Sequence, residues 1–483
     1  MAENDVRYWT GKKLTSRHQR QIDMLPDDVL LEIFDFLEQT LVHVCRQWRS
    51  VVFGSPRRLN LRLVCTPKTP ARDTLDVWPS LPLLIQDRSD VPTEDVDDII
   101  AVLLECSNRV VDIDLIKFDS SELENILATM QVPFPELIFL VLRSGDGMVT
   151  VLPDSFLGGS TPRMEFLQLD CIAFPDLPKL LLSASHLTEL HLEDIPHSGY
   201  RSPAAMVTVL STLTSLKRLC LEFKSPRSRP DWASRHPPPL TRSVLPVLTY
   251  FQFKGACEYL EDLVTRVDAP RLDSSPITLF NQIVFDTPQF IQFISRTPMF
   301  ETFERALVVF RDNAARVNLS SQTSGSRSRY RKLNMIIPCI ELDWQVSSME
   351  QVCTSCLPPL SALEDLYIYE DPDWPPVWQD KIENTLWLEL LQPFSGVKNL
   401  YLSEKFASRI IPALQELTGG RTAEVLPILQ NIFLEELQPL GTVQEGIQQF
   451  VATRQVTIHP IVVSRWVNPK QDMRNNSSHL FLY

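Results

Sequence analysis

Hydrophobic residues recur along most of the chain in triads with the spacing L-x-x-L-x-L. Triads with this spacing begin at Val110, Leu137, Met164, Leu187, Leu216, Leu248, Leu363, Val397 and Leu429. Successive starts differ by 27, 27, 23, 29 and 32 residues in the first six triads, and by 34 and 32 in the last three. Alternating apolar positions are typical of strands with one buried face. The pattern therefore predicts one strand in each unit.

Segments with apolar residues at helical spacing lie between the triads, for example residues 203–213, 257–267, 289–298 and 404–417. A strand and a helix about every 27–34 residues predict a solenoid of α/β class, because no single unit can bury its apolar face alone. The pattern resembles an irregular leucine-rich repeat, which lacks here the Asn or Cys usual after the third apolar position. We assign this array to residues 109–460, after a linker and capping region at 64–108 and before a tail at 461–483.

Two polar segments interrupt the array, at residues 225–242 and 311–332. Both contain little apolar periodicity, which predicts exposed loops or insertions. The basic end of the second segment, SGSRSRYRK, is compatible with a modification site or a basic targeting signal, although a solvated loop is the favoured interpretation. The pattern is also weak between Leu272 and Trp344, where we expect at least two distorted repeats.

A different pattern precedes the array and predicts two short helices after a polar tail at residues 1–20. Pro26 suits a helix start, and the two aspartates that follow favour the positive end of the helix dipole. The first helix has apolar residues at three- and four-residue spacing, and so has the second. In the first helix these residues are Val29, Leu30, Ile33, Phe34 and Leu37. In the second helix they are Leu41, Val44, Cys45, Trp48 and Val52.

The sequence Leu25-Pro26, the LLEIF helix and the VCRQW motif at residues 44–48 together resemble an F-box. The stretch after them, PRRLNLRLVC, is similar to that of the large fungal, basidiomycete-type F-box family. This resemblance covers residues 21–63 and implies docking onto a Skp-type adaptor of a cullin-based ubiquitin ligase. The positions that it implies as adaptor contacts are Leu25, Pro26, Ile33, Phe34 and Leu37, whereas Trp48 is expected in the core of the module.

Pro26 and Trp48 lie 48 − 26 = 22 residues apart. This is four residues, roughly one helical turn, fewer than in the familiar F-box pattern. Two hypotheses follow. The first is a substrate-recognition subunit that docks an adaptor and binds a protein target. The alternative is a protein-interaction scaffold with a degenerate F-box that takes no part in ubiquitin ligation.

Residues between the apolar positions of each strand are expected on the concave face, where such solenoids usually bind their partners. The acidic stretch around His191 suits a basic partner, and the tyrosines suit an interface hot spot. An ordinary solvated strand face is an equally weighted interpretation. The candidate target-binding residues are Glu189, His191, Glu193, Tyr250, Tyr367, Tyr369 and Tyr401.

Composition narrows the possible functions. The chain has 483 residues with 37 Pro and only 14 Gly, and it contains no glycine-rich phosphate-binding motif. Its formal net charge of −14 argues against general nucleic-acid binding. No signal peptide and no membrane-spanning run is expected. Nine scattered cysteines fit reduced thiols, which predicts a cytoplasmic or nuclear protein.

We find no motif for catalysis in the sequence. Cys353-x-x-Cys356 has no second ligand pair of suitable spacing and no surrounding thioredoxin-like pattern, so we interpret it as two incidental thiols. The sequence contains no G-x-S-x-G or H-E-x-x-H motif. We therefore expect no enzyme activity, metal or cofactor, and we expect an adaptor, a cullin scaffold and an unidentified protein target as partners.

Overall fold

The computed structural model describes most of the chain beyond residue 96 and two short strands before it. The described residues are 63–65, 82–86, 96–175, 177–228, 241–280, 284–300, 302–321, 332–379, 382–417, 425–435, 441–455 and 461–465. The predicted tail at 1–20 lies outside them, as does all but the last residue of the predicted helical module.

The described strands are short, and most follow one triad each. In chain order they are β1 (Leu63–Cys65), β2 (Leu83–Gln86), β3 (Val110–Leu115), β4 (Phe139–Arg143), β5 (Thr150–Val151), β6 (Phe166–Asp170), β7 (Ile172–Ala173), β8 (Glu189–Ile195), β9 (Arg218–Phe223), β10 (Ser243–Val244), β11 (Tyr250–Gly255), β12 (Val267–Asp268), β13 (Ser274–Leu279), β14 (Arg305–Phe310), β15 (Ala314–Ser320), β16 (Lys332–Pro338), β17 (Asp365–Glu370), β18 (Asn399–Leu402), β19 (Asn431–Leu434) and β20 (Val462–Arg465). Every one of the triads contributes a strand, as the sequence predicts.

The α-helices lie between the strands. They are α1 (Val96–Cys106), α2 (Ser120–Thr129), α3 (Leu177–Ser183), α4 (Pro203–Leu210), α5 (Cys257–Val264), α6 (Pro288–Ser295), α7 (Leu342–Ser355), α8 (Asn384–Leu391), α9 (Glu404–Gln415) and α10 (Gly441–Gln455). Short 3-10 helices occur at Phe156–Gly159, His197–Gly199, Pro298–Phe300 and Leu360–Ala362. None of the helices in the described ranges is long and apolar enough to cross a bilayer.

One large sheet organises the described residues. Its strand order is β1-β2-β3-β4-β6-β8-β9-β11-β13-β16-β15-β14-β17-β18-β19-β20. All neighbours pair in parallel except β15, which is antiparallel to both β14 and β16. Parallel strands need a crossover between them, and an α-helix lies in most of these crossovers. The fold is therefore mixed α/β with a long parallel sheet.

A single core runs between one face of the sheet and the helices. In β17, for example, Leu366 and Ile368 are fully buried, and Ile410 and Ile411 of α9 are members of the same cluster. The apolar positions of the triads supply the sheet side of this core. We call this side the inner face of the sheet and the opposite side the outer face.

The sheet differs from the predicted limits of the array. It begins at β1 and β2, within the predicted module and capping region, and it includes β20, within the predicted C-terminal tail. The predicted insertion at 311–332 is partly a strand, because Ala315, Val317 and Leu319 of β15 alternate with polar residues and are fully buried. Residues 229–240, in the middle of the first predicted loop, and residues 322–331, in the second half of the other, lie outside the described residues.

A buried carboxylate joins two successive helices. Glu261 of α5 accepts hydrogen bonds from the backbone N–H groups of Gln289, at 3.0 Å, and Phe290, at 2.8 Å, in the first turn of α6. The first N–H groups of a helix have no partner within the helix, and the helix dipole favours a negative charge there. Glu261 therefore supplies the cap that Thr287, the N-cap residue, does not form with its own side chain.

We expect Glu261→Ala to lower the free energy of unfolding by about 1–3 kcal/mol, because it leaves a buried N–H group without an acceptor. Urea unfolding of the full chain measures this loss. Glu261→Gln keeps one oxygen as an acceptor and should lose less. Equal stability of the alanine variant and the wild type would contradict the capping role.

Candidate functional site

The outer face of the sheet carries the side chains that alternate with the buried triad residues. In β11 the residues alternate, so that Phe251 and Phe253 are buried in the core while Tyr250, Gln252 and Lys254 are partly exposed on the outer face. The same alternation in the other strands places all of the predicted target-binding residues on this face. Its two halves differ in chemistry.

Charged and aromatic side chains share the N-terminal half. Phe139 and Phe166 stack with their ring centroids 4.4 Å apart, and His191 continues the stack at 5.3 Å from Phe166. Further along, the guanidinium of Arg218 lies 4.1 Å from the centroid of the Tyr250 ring. Neighbouring strands pair side by side, so side chains at matching positions contact each other in rows that run across the strands.

The predicted acidic stretch is already partly neutralised within the chain. Glu189 lies 3.3 Å from Nε of Arg218 and 3.3 Å from Nε2 of His191, and Glu193 lies 3.5 Å from Nδ1 of the same imidazole. On the next row, Lys254 lies 3.8 Å from Glu222. A basic partner at this stretch stays a prediction, and such a partner would compete with Arg218 and Lys254.

A column of stacked aromatic rings occupies the C-terminal half. Tyr367, Tyr401 and Phe433 face each other across β17, β18 and β19, with centroid distances of 4.0 Å and 4.4 Å and interplanar angles of 7° and 8°. We call these three residues the aromatic ladder. Leu307 packs beside it and is paired with Tyr367 across β14 and β17. The ladder is held by ring stacking and by strand register together.

The tyrosines differ in how much surface they offer. Tyr367 and Tyr369 are each only 7% exposed, because Val309 and the neighbouring rings cover them. Burial raises the pKa of Tyr369 to about 12 and also raises that of Tyr367. Tyr401 and Phe433 are half-buried, so the free surface of the ladder lies mainly on these two rings.

Polar groups run along one side of the ladder. Asn399 donates a hydrogen bond of 2.8 Å to Asp365, and Asn431 donates one of 2.7 Å to Asn399. Arg305 lies 3.7 Å from the same aspartate and 5.2 Å from the ring centroid of Tyr367. The C-terminal half of the outer face thus combines flat apolar rings with an ordered polar edge, which are features of a protein-binding surface.

The remaining candidates from the sequence are either buried or outside the described residues. Cys353 and Cys356 lie in the core as free thiols. Burial raises the pKa of Cys356 to about 12 and raises that of Cys353 as well, which disfavours reactive thiolates at neutral pH. The candidate adaptor contacts, Leu25, Pro26, Ile33, Phe34 and Leu37, lie outside the described residues.

Sequence reasoning missed three residues of the outer face. Phe433 and Leu307 were not among the candidates, although Phe433 lies between Ile432 and Leu434 in the alternating pattern of its strand. Cys220 was also missed, because it lies 29 residues after His191 in the sequence. Aligning the triads on Leu190 and Leu219 places Cys220 directly beside His191, so the signal was present in the register.

Comparison with known proteins identifies one segment by sequence. A family model described as F-box-like matches residues 22–62. In structure, the chain is similar to the leucine-rich repeat-containing protein LegL7 from Legionella pneumophila, at 11% sequence identity and a TM-score of 0.24, over 81% of this chain and 97% of that protein. No curated protein matches the chain in sequence. The chain thus contains an F-box-like segment immediately before its sheet.

Proposed function

We propose that this protein is the substrate-recognition subunit of a cullin-based ubiquitin ligase of the SCF type, active in the cytoplasm or nucleus and without catalytic activity of its own. In this proposal the F-box-like segment docks a Skp-type adaptor, and a leucine-rich-repeat-type sheet binds a protein target. The resemblance of residues 56–65 to the post-F-box stretch of large fungal families supports an origin in that group. Membranes and nucleic acids have no role in the proposal.

The observation that carries the proposal is the position of the F-box-like segment. It ends at residue 62, and β1 of the large sheet begins at Leu63. An adaptor bound to the segment would therefore be linked to a target on the sheet without a long spacer. Such linkage raises the effective concentration of the target near a ubiquitin-charged enzyme, and proximity supplies the rate.

The aromatic ladder is the proposed centre of target binding. Interface hot spots are enriched in tyrosine and arginine and lie in packed surroundings. Tyr401 and Phe433 offer rigid rings on a strand platform, so little conformational entropy is lost when a partner binds them. Arg305, Asn399 and Asn431 would supply polar contacts beside the rings.

The alternative function is a scaffold that binds proteins without joining a ligase. The 22-residue spacing between Pro26 and Trp48 favours this alternative, because a shortened connection between the two predicted helices would change the adaptor surface. Adaptor co-purification with the full chain discriminates between the two functions.

Removing the exposed rings of the ladder should release the target and keep the adaptor. We expect the double variant Tyr401→Ala/Phe433→Ala to capture its specific partner about 30-fold more weakly, since a hot-spot loss of 2 kcal/mol corresponds to that factor. Quantitative mass spectrometry of proteins captured by wild-type and variant full chains measures the change, with the adaptor as an internal reference.

A matched control lies on the other half of the same face. Phe139 and Phe166 also form a stacked, half-buried pair, so Phe139→Ala/Phe166→Ala removes similar apolar area from adjacent strands. This control should keep both the target and the adaptor. If both double variants lose the same proteins to the same extent, the ladder is not the target-binding centre.

A further inference from the structure

A cluster of side chains with possible metal-ligand atoms lies on the N-terminal half of the outer face. His191 and Glu193 are two residues apart on β8, and Cys220 and Glu222 are two residues apart on β9. Residues two apart on a strand share a face. His191 pairs directly with Cys220 in the parallel register, and the register shifts after Leu192, at the position of Glu193.

The donor atoms are close enough to share one ion. One ligand atom each of His191, Glu193 and Cys220 lie within 4.8 Å of one another. Nδ1 of the imidazole lies 3.5 Å from Oε1 of Glu193. A tetrahedral zinc site with bonds of about 2.0–2.3 Å needs ligands about 3.3–3.8 Å apart. Small side-chain rotations therefore suffice to close the cluster around an ion.

We propose that His191, Glu193 and Cys220 bind a zinc ion. Imidazole, thiolate and carboxylate are the three ligand types that proteins offer to Zn²⁺. This set leaves a fourth position, which water or the nearby Glu222 carboxylate would occupy. Glu222 lies 3.8 Å from Sγ of Cys220. The combination of sulfur and nitrogen ligands favours zinc over magnesium or calcium, which prefer oxygen ligands.

Neighbouring side chains already orient two of the ligands. Oε2 of Glu189 lies 3.3 Å from Nε2 of His191, which leaves Nδ1 directed at Glu193. Gln168 donates a hydrogen bond of 3.3 Å to the other carboxylate oxygen of Glu193. A carboxylate behind a metal-binding imidazole is the usual supporting contact in zinc sites. Glu189 is therefore a positioning residue of the proposed site.

Zinc binding at Cys220 forms a Zn–S bond in place of the S–H bond, and the thiol proton passes to solvent. The carboxylates of Glu193 and Glu222 lie beside the sulfur and would offset the charge of the bound ion.

Metal titration of the full chain, without a histidine tag and after treatment with a chelator, tests the site. We expect one equivalent of Zn²⁺ to bind in competition with a chromogenic chelator. Co²⁺ in the same position should give visible bands of a four-coordinate ion and a near-ultraviolet thiolate-to-cobalt band. Cys220→Ser should abolish that band, and Glu189→Gln should weaken binding about 10- to 100-fold.

Two matched variants control for other thiols and imidazoles. Cys339 is buried like Cys220, and His186 is exposed and away from the cluster, so Cys339→Ser and His186→Ala should bind zinc like the wild type. If Cys220→Ser does not fold, His191→Gln replaces it with the same expected loss. A wild-type chain without the thiolate band, or variants at residues 220 and 191 with undiminished affinity, would overturn the proposal.

Discussion

Replacing Leu25, Pro26 and Phe34 together by Ala is expected to abolish co-purification of a Skp-type adaptor with the full-length chain. These are candidate contact positions of the F-box-like segment at residues 22–62. An adaptor interface of this kind gains its affinity from a few buried apolar anchors, and truncating a single hot-spot residue costs 2 kcal/mol or more, at least about 30-fold in affinity. The loss from three such residues should bring adaptor recovery to background in a quantitative pull-down with purified components.

Controls separate this effect from general damage. The variant should keep the thermal unfolding midpoint of the sheet, since the substitutions precede Leu63, and it should still capture the proteins that depend on the aromatic ladder. Conversely, Tyr401→Ala/Phe433→Ala should keep the adaptor. Adaptor recovery at the wild-type level in the triple variant would show that these residues are not the contacts. A wild-type chain that binds no adaptor would favour the scaffold function.

The zinc proposal is independent of this outcome. The cluster around His191 and Cys220 lies on β8 and β9, whereas the ladder lies on β17 to β19. Metal binding measured on the purified chain needs neither adaptor nor target. If the ligase proposal is wrong, the metal-site proposal is therefore unaffected. If the metal-site proposal is wrong, the ligase proposal is equally unaffected.

Local periodicity predicted the regular part of the fold well. Residues such as Leu190 and Leu192 alternate within a triad, and both are fully buried on the inner face. The helix predicted over residues 404–417 is present as α9, although it contains Pro412. These elements were predictable because each pattern is complete within a few residues and does not depend on distant partners.

Features that depend on distant partners were not predictable. The strand β15 has small or polar residues at many positions, and only its pairing with β14 and β16 makes it part of the sheet. The low exposure of Tyr367 follows from rings that lie on other strands. The meeting of His191 with Cys220 required the register of two strands from separate repeats. In each case the missing information was the contact between units.

The C-terminal part of the core centres on one tryptophan. Trp387 of α8 is fully buried, and its ring meets those of Phe310 on β14 and Phe406 on α9 edge to face, at centroid distances of 6.4 Å and 5.6 Å. Phe310 and Phe406 also stack at 4.9 Å. This cluster joins two helices to the strand beside β17, so it supports the platform of the aromatic ladder.

We expect Trp387→Ala to lower the free energy of unfolding by about 3–5 kcal/mol, because it removes a large buried ring and leaves a cavity. Native proteins are stable by only about 5–15 kcal/mol, so this loss is a large share of the total. Urea unfolding of the full chain, followed by circular dichroism, measures it. Trp387→Phe keeps part of the ring contact and should lose less.

Trp374 provides the matched control, since it is the same residue type in the same part of the chain but is 61% exposed. Trp374→Ala removes little buried area and should change stability by no more than about 0.5 kcal/mol. The difference between the two alanine variants in free energy of unfolding therefore reports the effect of burial, because the residue type is the same. If both variants unfold at the same urea concentration as the wild type, the cluster of Trp387, Phe310 and Phe406 does not hold the C-terminal units together. If Trp387→Ala also loses the target while Phe139→Ala/Phe166→Ala keeps it, the ladder depends on the core beneath it.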